Sequence, residues 1–259
     1  VSFIAALRFL TTLRVPRRFT GGVEDLSRTT AFFPVVGIII GLILVGAYWL
    51  LIHILPRGVV SGILVVLGIV LSGGVHLEGF ADTCDGIGGQ KDTKARLRVM
   101  QDSRSGAFAI IGIAALLLVK YGALYSLPHG AMMAALLVMP VVSRWTMVYA
   151  IFTYPYARPS GTGKIMKEGL GRGRFAAATA ITTGAAIGFS GWAGVPLFYL
   201  AGPLVMIGTW LVILAMAAYL KRKLSGLTGD TYGAINEVAE VSALIMVLLL
   251  VYNRWPGFG

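Results

Sequence analysis

Long apolar stretches separated by short polar or Gly/Pro-rich intervals dominate the chain. Stretches near 31–55, 59–80, 107–127, 131–152, 175–195, 197–220 and 234–253 have the length, roughly 20 residues, that an α-helix needs to cross a bilayer. The first contains "FFPVVGIIIGLILVGAYWLLIHIL" and the second "VVSGILVVLGIVLSGGVHLEGF". The last opens on the polar "AINEVAEV" and becomes wholly apolar at "SALIMVLLLVY". Pro56-Arg57-Gly58, Pro128-His129-Gly130 and Gly194-Val195-Pro196 mark tight turns between them. Ahead of these spans, Phe3, Leu7, Leu10 and Leu13 recur at helical spacing in a segment interrupted by Arg8 and Arg14. That pattern predicts an amphipathic helix lying on the membrane surface and lacks the clean apolar core and cleavage site of a signal peptide. The predicted fold is all-α: one polytopic integral membrane helical bundle over residues 1–259, with about seven transmembrane helices plus the N-terminal interfacial helix.

Composition agrees. Apolar residues make up 57% of the chain and charged residues 13%, with a mean hydropathy of +0.82. Soluble domains are nearer half apolar and a quarter charged. The single cysteine, Cys84, excludes an internal disulfide framework.

The net charge of +11 raises the question of nucleic acid, and its distribution answers it. Arg8, Arg14, Arg17, Arg18 and Arg28 cluster near the N-terminus. Lys91, Lys94, Arg96, Arg98 and Arg104 follow the second span, and Arg158, Lys164, Lys167, Arg172 and Arg174 follow the fourth. Lys221, Arg222 and Lys223 follow the sixth, whereas the opposite side carries only Arg57 and Arg254. By the positive-inside rule the N-terminus and the three long loops are cytoplasmic. The basic excess thus reads as topology and attraction to anionic headgroups. No aromatics interleave with the basic clusters as stacking platforms would require, so nucleic acid is not an expected partner; the lipid bilayer is.

Against that background the acids stand out. Eight of the eleven fall in two stretches on the same predicted side: Glu78, Asp82, Asp85, Asp92 and Asp102, then Asp230, Glu237 and Glu240. If the second span's helix continues past Phe80, Glu78, Asp82 and Asp85 stand at i, i+4 and i+7 on one face. Like charges so placed raise one another's pKa unless a cation relieves them. Mg²⁺ takes carboxylate oxygens and is usually shared with substrate phosphates, which makes Glu78, Asp82, Asp85 and Asp102 candidate metal ligands. For Asp92, inside "QKDTKAR", an ordinary solvated loop is the better reading. In the second cluster Asn236, Glu237 and Glu240 can share a helical face. Arg144, inside a span, must pair with an acid or a phosphate. "YARPSGTGK" joins Arg158 and Lys164 through a Gly-rich turn that lacks the full P-loop spacing, and reads as a basic loop over a diphosphate. His76 stands alone beside the acids, open to a part in proton transfer; no His/Cys spacing suggests zinc.

"HLEGFADTCDG", "RVMQDSRSGAFA", "FFPVVGIIIG", "SRW", "ARPSGTGK" and "GLTGDTYGAINEVAE" occur in the order found in the cobalamin synthase family. The likeness runs from about Phe9 to Glu240; Glu78, where the family more often has Asp, and Cys84 depart from its pattern. The resemblance implies an integral inner-membrane enzyme, an adenosylcobinamide-GDP ribazoletransferase, that joins adenosylcobinamide-GDP to α-ribazole or its 5′-phosphate and releases GMP, with Mg²⁺. In that scheme Asp82, Asp85, Asp102 and Glu78 serve the metal, and Arg104, Arg144, Arg158, Lys164 and Asn236 the substrates. One of Asp230, Glu237 and Glu240 takes or orients the acceptor's hydroxyl proton, with His76 beside them. The rival readings are another metal-dependent membrane phosphotransferase or prenyltransferase, and an ion-coupled transporter. CDP-alcohol phosphotransferases share the "DTCDG" opening but need further aspartates that "IGGQKD" does not supply. Transporters hold their acids nearer the midplane. Oligomeric state, a homo-oligomer included, is not legible.

Overall fold

The structure, a computed structural model, describes residues 2–14, 28–89, 92–102, 104–192 and 198–252. The turn expected at Gly194-Val195-Pro196, together with Arg17, Arg18, Glu24, Asp25, Lys91 and Arg254 of the charge pattern, lies outside the described residues. The helices are α1 (Ser2–Leu10), α2 (Phe33–Leu51), α3 (Arg57–Ser72), α4 (Val75–Gly89), α5 (Thr93–Val99) and α6 (Ala107–Ser126). After them come α7 (His129–Thr153), α8 (Thr162–Gly169), α9 (Arg172–Trp192), α10 (Phe198–Leu224) and α11 (Gly229–Tyr252). No strand forms among the described residues; an isolated bridge pairs Tyr156 with Leu227.

The bundle is built around α7, which is buried almost throughout, Arg144 and Trp145 included. α2, α9 and α11 pack against it. Ile110, Ile111 and Leu118 of α6 and Ile207 and Leu211 of α10 are exposed. Side chains of that kind facing outward fit a hydrocarbon surround, where the drive to hide them is absent.

Five helices are long and apolar enough to cross a membrane: Thr29–Leu51, Ala107–Ser126, His129–Thr153, Leu200–Leu224 and Gly229–Tyr252. α3 and α4 make a sixth only if counted together, and they are bent by 92° at their junction. The expected seven are thus five or six among the described residues. Two physical causes account for the difference. Gly73 and Gly74 adopt φ of 66° and 72°, a left-handed conformation that glycine takes at no steric cost, and the chain turns inside what hydropathy reads as one run. α9, built largely of Ala, Thr and Gly, has the length of a span but is not apolar enough to count as one.

The N-terminal segment forms the expected helix, and it packs on the bundle. Ala6 and Leu10 of α1 are buried, Phe9 stacks on Phe33 with ring centroids 6.2 Å apart, and the Thr12 amide donates to the Leu71 carbonyl at 2.9 Å. Its apolar face is turned onto the bundle.

Candidate active site

The bend after α3 carries α4 across the first turns of α11. A Cβ placed on Gly79 would lie 2.7 Å from the Asp230 carbonyl oxygen, and one on Gly233 would lie 3.0 Å from that of His76. Only glycine permits this approach of two backbones, as at small-residue crossings in membranes generally. It sets the turn holding Glu78 and Asp82 beside the turn holding Asp230. α11 starts on a reciprocal cap: the Thr231 amide donates to the Thr228 hydroxyl at 3.3 Å, and the Thr228 amide to the Thr231 hydroxyl at 2.8 Å. Asp230 sits in that first turn, where the helix dipole favours a negative charge.

α4 alone is not among the spanning helices, and the surroundings of Asp82 show in its acidity. Burial first, then the charges of Asp230, Glu78 and Asp85, push its carboxyl up to about 6, with Arg158 opposing. Glu78 and Asp82 line an open cavity of about 400 Å³ together with Gln101, Asp102 and Ser105 from the loop before α6. Arg158 donates from Nη2 to Asp230 Oδ2 at 2.8 Å. Its strand-like segment is held by backbone bonds of 2.8 Å from Leu227 to Pro155 and from Ala157 to Leu227. Lys164, half-buried in the first turn of α8, donates to the Pro159 carbonyl at 2.7 Å.

Two of the four candidate metal ligands are engaged elsewhere. Asp85 accepts from the amides of Gly106 at 2.6 Å and Ala109 at 2.9 Å, and so caps α6. Asp102 grips Arg104 through both oxygens, at 3.0 and 2.8 Å, which holds its carboxyl down at about 2. Among the described residues no group of three His, Cys, Asp or Glu side chains is placed to hold a metal ion. A cation shared with substrate phosphates needs only one or two protein carboxylates, however, and Asp82 with Glu78 on the same wall meets that lesser demand. Asp92 caps α5, accepting from the Ala95 amide at 3.1 Å, in keeping with its reading as a loop acid.

The remaining candidates lie deeper. Glu237 and Glu240 are 4% and 5% exposed and Asn236 is fully buried. Lys120 on α6, 4% exposed, donates to Glu237 Oε2 at 3.0 Å and also pairs with Glu240. Arg144 on α7 pairs with Glu240 as well and donates to the Ser143 hydroxyl at 3.0 Å. Asn236 Nδ2 donates to Glu240 Oε1 at 3.4 Å. Two cations and two carboxylates therefore cancel inside the bundle, and the acid partner that Arg144 required is Glu240. The sequence signal for Lys120 is a lone ammonium in mid-span, expensive without partners. His76 is buried beside this group. Its Nε2 and the Tyr232 hydroxyl have no hydrogen-bond partner, and both residues line a small internal cavity of about 40 Å³.

Known proteins match this chain over nearly its whole length. A family model described as cobalamin-5-phosphate synthase matches residues 2–248. The chain belongs to that family. Among its cobalamin-5-phosphate synthase relatives, a Roseiflexus protein is 35% identical over 94% of this chain and 88% of its own. A Geotalea daltonii protein is 34% identical over 98% of each chain, and one from Syntrophobacter fumaroxidans 36% identical over 93% of this chain and 96% of its own. All three carry the name adenosylcobinamide-GDP ribazoletransferase. No solved structure matches.

Proposed function

We propose that this protein is a membrane-embedded adenosylcobinamide-GDP ribazoletransferase, which joins adenosylcobinamide-GDP to α-ribazole or its 5′-phosphate and releases GMP. The observation that carries the reading is the crossing of α4 on α11, which sets Asp82 and Asp230 within electrostatic reach of each other with Arg158 between them in charge. A diphosphate donor needs that combination of clustered carboxylates and cations at one accessible place. Orientation follows the basic loops, with the site on the cytoplasmic side of the cell's inner membrane.

Asp82 and Glu78 would hold Mg²⁺, with Asp102 across the cavity. When bound, that ion neutralises charge developing on the phosphate oxygens. Arg158 and Arg104 bind the diphosphate and stabilise the departing GMP, and Lys164 adds a further charge from the start of α8. The acceptor's 3′-hydroxyl oxygen bonds to the phosphorus attached to cobinamide as the bond from that phosphorus to the bridging oxygen breaks. GMP leaves with the bridging oxygen. Asp230 orients the hydroxyl and takes its proton, because Glu237 and Glu240 are sealed in ion pairs out of substrate's reach.

The test is GMP release from adenosylcobinamide-GDP by purified protein in detergent, with acceptor present and with EDTA or added Mg²⁺. Acceptor-dependent and EDTA-sensitive release is expected. Absence of release under all conditions would overturn the transferase reading, and full release in EDTA would overturn the metal.

A further inference from the structure

The buried quartet of Lys120, Glu237, Glu240 and Arg144 does no chemistry in that scheme, yet it is costly to build. Charges in a membrane interior persist only when paired, and removing one partner leaves the others uncompensated. The quartet also joins three elements: Lys120 comes from α6, Arg144 from α7, and both glutamates from α11. Glu237 and Glu240 follow Asp230 by seven and ten residues on one continuous helix, about 10 and 15 Å along its axis.

Apolar helix surfaces in lipid specify register poorly, because hydrocarbon solvates them as well as protein does. From Ala243 to Tyr252, α11 offers almost nothing but such surface. Sliding α11 by one residue shifts it about 1.5 Å and turns it about 100°, which carries both glutamates away from Lys120. The ion pairs thus admit one register. That register decides where Asp230 stands against Asp82 and Arg158.

We propose that Lys120 is a positioning residue for the transfer reaction: through Glu237 and Glu240 it locks α11 against α6, as Arg144 ties it to α7, and so places Asp230 at the reacting hydroxyl. The inference rests on the transferase reading, and the two fail separately. Wild-type protein that releases no GMP sinks the reading, whereas a variant equal to active wild type sinks the lock alone.

The experiment compares wild type with Lys120→Met, Lys120→Arg and the charge-balanced double variant Lys120→Met/Glu237→Gln, each assayed per folded molecule. Lys120→Met should lower kcat about 100-fold, the scale of loss from an ångström-sized misplacement, while the donor KM moves less than about twofold. Lys120→Arg, which keeps the charge, should regain most of that loss. A lysine needed only for stability would lower the thermal midpoint and leave kcat untouched; that result overturns the proposal. If Lys120→Met does not fold, the double variant decides: folded and slow supports the lock, folded with wild-type kcat refutes it.

Discussion

Two groups of acids and cations meet on α11, and they have opposite character. Glu78 and Asp82 line the 400 Å³ cavity with Asp230 in electrostatic reach, and burial first, then the like charges of Asp230 and Glu78, hold Asp82 near 6. Below it Lys120, Arg144, Glu237 and Glu240 balance one for one and are sealed from solvent. The upper group is frustrated and accessible; the lower is satisfied and closed. A surplus of negative charge beside open space is what a bound cation would relieve, whereas a neutral buried set can only hold helices together. Acid count does not separate the two. Pairing and access do.

The contrast is broken most directly at Asp82. Asp82→Asn should reduce GMP release by at least about 1,000-fold, measured at saturating Mg²⁺. It should also raise the thermal midpoint of metal-free protein at pH 7. The sign follows from linkage: a carboxyl whose folded pKa lies above its ordinary value binds an extra proton in the fold between roughly pH 4 and 6, so its contribution to stability falls as pH rises through that window. Removing the charge removes the penalty. A variant less stable than wild type at pH 7 would show that Asp82 is not frustrated.

The lower group should answer in reverse. Glu240→Gln leaves two buried cations facing one carboxylate, and should cost about 3 kcal/mol of stability by thermal or denaturant unfolding in detergent. A smaller effect is expected at the start of α6. Asp85→Ala removes the cap on α6 and should cost about 1 kcal/mol, with donor KM shifted less than by any change at Asp82. Loss of metal binding in that variant equal to loss in Asp82→Asn would return Asp85 to the ligand set.

Much of this was legible in the chain. Hydropathy located the helices, and the spacing of Glu78, Asp82 and Asp85 put them on one helical face. What hydropathy averages away is a turn inside an apolar run, so Gly73 and Gly74 passed as the interior of a span. The shared face of Asn236, Glu237 and Glu240 was readable too, but not what it faced; that depends on Lys120, more than a hundred residues away in sequence. Asp85 had the same ambiguity. A carboxylate that binds metal and one that binds the amides of a distant helix look alike until the helix is in place.

α6 touches both groups. Its first turn hangs from Asp85, and its middle reaches Glu237 and Glu240 through Lys120. A single rod is thereby clamped to α4 at one point and to α11 at another. Twisting it would disturb both at once, so the mouth of this protein inherits its stiffness from a lysine that no substrate meets.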